Sequence, residues 1–193
     1  MRYFLVDKTV FDNNKVGMYG KLIYAILCKF LNADGTCFPS RKTISKCGNF
    51  SISTYNKYVS VMLLENVLEK KIRVRKNGSQ TSNLFKLKKN KENSFPVRSD
   101  IFSKGLSSTA VCVYICLARH VAEDNCCRVS QHLIAEKCSI SISSVIRAVK
   151  ELKSANMLET IKQTNINNNG NYVLLYRLTD GTAVSYTHLR AHE

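Results

Sequence analysis

The sequence predicts a mainly α fold with small β-hairpins, laid down twice in tandem, and three observations predict it. Sliding the 193-residue chain past itself by 90 positions aligns residues 21–69 with 111–159 without a gap, and 13 of those 49 positions are identical. Within each copy, apolar residues recur at helical spacing in three successive stretches. Each copy then reaches an Asn-Gly turn signal, Asn77-Gly78 and Asn169-Gly170, between segments of strand-forming composition.

The identities include Tyr24/Tyr114, Asp34/Asp124, Cys37/Cys127, Ser40/Ser130, Ile44/Ile134, Val59/Val149 and the triplets Ser51-Ile52-Ser53 and Ser141-Ile142-Ser143. Upstream, a one-residue change of offset pairs Phe4, Val6 and Phe11 with Phe95, Val97 and Phe102. Downstream, Phe85-Lys86-Leu87 matches Tyr176-Arg177-Leu178. Two units are expected, 1–88 and 95–178, each of a size that supports a modest core. Polar, charged residues 89–94 read as an exposed linker. Residues 179–193 form a tail outside the repeat, and 183–193 resemble the translated read-through of a sequencing adapter, which leaves the natural end of the chain open.

Taken in order, residues 17–31 set Leu22, Ile23, Ile26, Leu27 and Phe30 on one helix face. Asp34-Gly35 turns the chain, and Thr36-Cys37-Phe38 is a short extended piece ended by Pro39. Ser40 can cap a short helix around Ile44, which Cys47-Gly48-Asn49 breaks. Ser51 or Ser53 caps a longer helix with Ile52, Tyr55, Val59, Met62 and Leu63 inward. Ile72 to Arg75 alternate as a strand, and Leu84 to Leu87 return from the Asn-Gly turn. The second unit repeats this with helices near 107–121, 130–137 and 142–156 and a hairpin across residues 167–170. Helix, short strand, helix, turn, helix, hairpin is the order of a winged helix-turn-helix, here two tandem domains, mainly α with small β-wings.

The stretches Cys37-Phe38-Pro39-Ser40-Arg41-Lys42-Thr43-Ile44 and Ser51-Ile52-Ser53-Thr54, with Gln80-Thr81-Ser82-Asn83-Leu84, resemble the helix-turn-helix domains of bacterial plasmid replication initiators and related primosome and phage proteins. Residues 130–135 and 141–152 carry the same resemblance into the second unit. It implies double-stranded DNA as partner, in replication initiation on a plasmid or mobile element or in transcription regulation. The fold is also shared by pure interaction modules, so a non-enzymatic assembly or dimerisation module stands as the alternative.

Charge points the same way. The chain carries a formal net charge of +15, and residues 1–92 hold 18 Lys/Arg against six Asp/Glu. Such an excess favours polyanionic partners. The second helix of a helix-turn-helix offers its N-terminal residues to base edges, which makes Ser53, Thr54, Asn56 and Lys57 candidate DNA contacts. Nine cations fall within residues 70–91, and on this strip Arg73, Arg75, Lys76 and Asn77 are candidate phosphate anchors. Arg41 and Lys42 open the preceding helix and are candidates on the same reasoning. In the second unit Ser143, Ser144, Arg147 and Lys150 form the matching face, but its hairpin has little charge. That unit is expected either to contact DNA or to bind a second copy of the chain or a replication or regulatory protein.

Other chemistry is weakly represented. Cys112, Cys116 and His120 recur at helical spacing, but the matching positions of the first unit are Leu22, Ile26 and Phe30, so these are read as core positions and no metal or other cofactor is expected. No HExxH, GxSxG, GxGxxG or phosphate-binding loop occurs, and the carboxylates are scattered. The expectation is a non-enzymatic, cytoplasmic protein with reduced cysteines and no apolar run long enough to span a bilayer.

Overall fold

Residues 3–7 and 94–98, one from the start of each repeat, form a strand pair that local sequence patterns did not announce. In the computed structural model, which describes residues 2–87, 92–122, 124, 126–164 and 172–179, the chain opens with β1 (Tyr3–Asp7). Asp7 then caps the short α1 (Lys8–Asp12), its carboxylate accepting from the Thr9 amide at 2.9 Å. The first unit continues as α2 (Gly17–Lys29), β2 (Thr36–Cys37), α3 (Arg41–Gly48), α4 (Ile52–Leu64), β3 (Leu68–Lys71) and β4 (Leu84–Leu87). After β5 (Ser94–Arg98) the same order returns: α5 (Ser108–Arg119), β6 (Cys126–Cys127), α6 (Gln131–Cys138), α7 (Ile142–Ser154), β7 (Leu158–Thr164) and β8 (Tyr172–Leu178).

The repeated serines are repeated caps. Ser40 and Ser130 accept from the amides of Thr43 and Leu133, and Ser51 and Ser141 from those of Thr54 and Ser144. Each bond satisfies one of the orphan donors at a helix start. Asn49 and Ser139, with φ of 53° and 55°, end α3 and α6 in the left-handed region. Asp34 and Asp124 likewise fold the turns before β2 and β6 by accepting from the amides two residues on. In each unit the small sheet has the same order, β2-β4-β3 and β6-β8-β7, all antiparallel.

The two units share one continuous core. α2 is buried on both sides, with Leu22 to Leu27 fully buried, because one side packs on α3 and α4 and the other on α5. β1 pairs with β5 so that Leu5 faces Pro96, Phe4 faces Val97 and Val6 faces Phe95. With Phe4, Val6 and Phe11 equivalent to Phe95, Val97 and Phe102, this register is that of a two-fold axis through the Leu5–Pro96 pair. Polar links cross the same axis. Ser108 Oγ, on α5, donates to the carbonyls of Gly48 and Asn49 at 2.7 and 2.9 Å, ending α3. Lys21 Nζ, on α2 and fully buried, donates to the Lys137 carbonyl at 2.6 Å, at the end of α6. Each first helix thus binds the C-terminal carbonyls of the other unit's short helix, where a cation also meets the negative end of the helix dipole. Ser94, the last residue of the expected 89–94 linker, is buried and opens β5. Residues 88–91, the expected hairpin tip at 167–170 and residues 180–193 lie outside the described residues.

Two local expectations are corrected. Ile52, read as inward, is 41% exposed, because it is the first residue of α4 and lies beyond the rim of the core that takes Tyr55, Val59 and Met62. The strand expected over Ile72–Arg75 is instead regular over Leu68–Lys71, with only an isolated Val74–Gln80 bridge beyond it. Ile72 and Val74 are 67% and 61% exposed there, since no element among the described residues covers this part of the hairpin.

Candidate nucleic-acid interface

The geometry of the first site follows from the caps. Ser51 caps α4, so Ser53 is free of that duty and stands exposed in the first turn of the helix. With Tyr55, Val59 and Met62 buried, the outward stripe of α4 is Ser53, Asn56, Lys57 and Ser60. Thr54 is half-buried and its hydroxyl lies 2.9 Å from Ser51 Oγ, so it belongs to the cap as much as to the surface. Lys57 holds its ammonium 5.6 Å from the Tyr58 ring.

Beyond β3 the hairpin stands off the body as an arm. Gly78, at φ +79°, donates its amide to the Arg75 carbonyl at 2.9 Å, and Arg75 and Ser79 pair across the turn. Only a residue at ease with positive φ closes such a turn without strain. Asn77 Oδ1 accepts from the Ser79 amide and hydroxyl, which commits it to the turn and leaves Lys76 exposed beside it.

Between this arm and the two helices lies an open groove of about 630 Å³. Arg41 and Lys42 enter it from the start of α3, Asn56 and Ser60 from α4, Lys70 from β3 and Arg75 from the arm. The structure therefore brings together Arg41, Lys42, Asn56 and Arg75 of the expected contacts. Ser53 and Lys57 continue the α4 stripe. Arg73 is set apart, its guanidinium 4.8 Å over the exposed ring of Phe38. Sequence reasoning assigned no contact to Gln80, Thr81, Ser82 and Asn83, which line the groove from the returning side of the arm. Their position depends on how the arm folds back, which residue type alone does not encode.

The groove's cations are uncompensated. Among the described residues, none of Arg41, Lys42, Lys57, Lys70, Arg73, Arg75 or Lys76 pairs with a carboxylate, whereas ion pairs elsewhere join Arg98 to Asp100, Arg119 and Lys137 to Asp12, and Arg128 to Asp124. Such a concave positive surface concentrates field lines on a polyanion.

In the second unit Ser143, Arg147 and Lys150 are exposed on α7, and Ser144 is half-buried, accepting from Arg147 Nη2 at 3.3 Å. The neighbouring hollow, of about 280 Å³, is lined by Ser107, Thr109, Ser144, Arg147, Ala148 and Glu151. Glu151 is occupied there, accepting from the Ser107 amide and hydroxyl at 2.6 Å each. Cys112, Cys116 and Cys138 are fully buried, and His120 Nδ1 lies 2.8 Å from the Cys116 carbonyl. No group of three or more His, Cys, Asp or Glu among the described residues is arranged to hold a metal ion. Nor is any helix among them long and apolar enough to cross a membrane.

A family model described as a helix-turn-helix domain matches residues 104–158, from just before α5 to the start of β7. That span is a helix-turn-helix domain. No curated protein matches the chain.

Proposed function

We propose that this protein binds double-stranded DNA sequence-specifically through two tandem winged helix-turn-helix units, and acts by binding rather than by turnover. The observation that carries this reading is the groove in which α4 and a cationic arm face each other with no acidic partner among the described residues. A helix-turn-helix domain points to DNA, and the capped α3-turn-α4 segment repeats the α6-turn-α7 order of the matched span. In the proposed arrangement α4 lies in the major groove, Ser53, Asn56 and Lys57 meet base edges and phosphates, and Arg41, Lys42, Arg73, Arg75 and Lys76 hold the backbone.

The role we propose is replication initiation on a plasmid or mobile element, or transcription regulation, in keeping with the sequence resemblance. The second unit is proposed to add its own DNA contacts through Ser143, Ser144, Arg147 and Lys150. A weaker charge excess there favours a second use of that unit, docking a second copy of the chain or a replication or regulatory protein.

Titrating the full chain against duplex DNA at several salt concentrations tests the reading. Affinity is expected to fall steeply with salt, because each phosphate contact releases condensed counterions. The double variant Arg73→Ala, Arg75→Ala is expected to bind more weakly and with a shallower salt dependence. Affinity indifferent to salt and to both substitutions refutes the proposal; self-association without DNA binding favours the interaction module.

A further inference from the structure

α7 buries Val145, Ala148, Val149 and Leu152 against the core. Its opposite face is the stripe Ser143, Ile146, Arg147 and Lys150, all exposed, at the i, i+3, i+4, i+7 spacing that lines one side of a helix. Ile146 is the anomaly in that stripe. It is 50% exposed, so the core gains little from it, and a β-branched residue is a mediocre helix former. Neither packing nor propensity accounts for it. Its repeat equivalent, 90 positions earlier, is Asn56, which lines the groove of the first unit.

We infer that Ile146 is a specificity-determining residue of the second unit that recognises a thymine through its 5-methyl group in the major groove. This rests on the DNA-binding reading above. Thymine is the base that offers an apolar group on its major-groove edge, and an apolar side chain is what reads it. The flanking Lys150 favours DNA over a protein partner, because it would have to be buried with Ile146 in the centre of a protein interface, where lysine is depleted. Against DNA Arg147 and Lys150 meet phosphates. The two units then read differently: Asn56 has the donor and acceptor that match adenine, while Ile146 has neither.

The test uses the full chain and duplexes it selects from a randomised pool. Each thymidine of the selected site is replaced in turn by deoxyuridine, which removes only the methyl. At one position the wild-type chain is expected to lose about four-fold in affinity, as for one buried methyl-sized group. Ile146→Ala is expected to abolish that loss, and Ile146→Asn to shift the preferred base there from thymine to adenine. As Ile146 is exposed, both variants are expected to unfold at the wild-type temperature. A methyl penalty unchanged in Ile146→Ala, or no sensitive position, overturns the inference while leaving salt-dependent binding intact. A dimer lost in Ile146→Ala without any methyl effect overturns it in favour of a self-association face. Failure to select any duplex overturns both this inference and the function it rests on.

Discussion

Phe11 packs edge-on against Phe95, with ring centroids 5.9 Å apart, and Phe4 meets Phe102 at 6.0 Å. Phe4 and Phe11 are the repeat equivalents of Phe95 and Phe102, so equivalent positions meet twice about an axis, edge-on in one contact and stacked in the other. The matching halves of the sequence form a two-fold arrangement inside a single chain, with corresponding surfaces serving the joint, as in an isologous dimer.

A fragment ending at residue 88 should therefore not persist as a folded monomer. Without the second unit, the β1 edge, Phe11 and the α5-facing side of α2 are all uncovered. An exposed strand edge beside an apolar face invites pairing with another chain. Sedimentation of the fragment is expected to show a dimer or larger species, whereas a stable, cooperatively folding monomer would contradict the shared core.

Capping and base contact separate between Ser51 and Ser53. Ser51→Ala is expected to lower stability by about 1 kcal/mol, through loss of the bond to the Thr54 amide. Ser53→Ala, at an exposed position without a capping bond, is expected to leave the melting temperature unchanged while weakening DNA binding. Thermal denaturation and titration of both variants check this, and equal destabilisation by the two would remove the distinction.

Much of this was legible because it is local. A serine before an apolar stretch predicts a cap: Ser40 caps α3, Ser51 rather than Ser53 caps α4, and the repeat equivalents Ser130 and Ser141 cap α6 and α7. The outward stripe of α4 followed from its inward residues. What escaped depends on distant chain segments. β1 and β5 are short, and one contains Pro96; their pairing joins the starts of the two repeats, far apart along the chain, and leaves no periodic trace. Ile52 has a helical register with Tyr55 and Val59, yet the core stops short of it. Ile72 and Val74 alternate as a strand does, but alternation implies burial only where something lies opposite, and none of the described residues does.

Asp12 links the units electrostatically, accepting from Arg119 at 2.8 Å and Lys137 at 3.0 Å. Burial raises its carboxyl, but these two hydrogen bonds and charges outweigh that and hold its pKa below the ordinary value. A lowered folded-state pKa means stability that is present above the unfolded-state pKa, about 3.9, and lost as pH falls through the folded value. Asp12→Asn is expected to cost about 1 kcal/mol at neutral pH for these partly exposed pairs. That difference should shrink below about pH 4. Denaturant unfolding of both proteins from pH 7 to pH 2 reads it; a difference constant over the whole range would exclude an ionic origin.

The thiols separate access from acidity. Burial pushes Cys37 and Cys127 up to about 12. Cys116 moves the other way, to about 6, through hydrogen bonding with Cys138 and with His120, yet it is fully buried. Of the eight cysteines only Cys47 is partly exposed. A thiol reagent needs both a thiolate and a path to it. Native protein is therefore expected to react first at Cys47, with Cys47→Ser removing the rapid phase and the remaining thiols appearing on unfolding. Rapid labelling of Cys116 in the folded protein would show that its burial is transient.

The arm offers the sharpest test of how the cations work, because Arg73 is held and Arg75 is not. Arg73 lies over Phe38, whose ring is 52% exposed and whose place beside the arm is fixed by the preceding β2. A guanidinium stacked on a ring keeps its N–H edge directed outward, so less rotamer freedom is lost when it meets a phosphate. Phe38→Ala should then weaken DNA binding without removing any charge. Combining it with Arg73→Ala should add little, since the ring acts through that arginine. Combining it with Arg75→Ala should give additive losses, because Arg75 lines the groove, which Phe38 does not. The salt dependence discriminates further: each arginine substitution is expected to lower the slope of log affinity against log salt by about one, and Phe38→Ala to leave it nearly unchanged. Additive losses in the Phe38–Arg73 pair would mean that the stack plays no part in presenting the guanidinium.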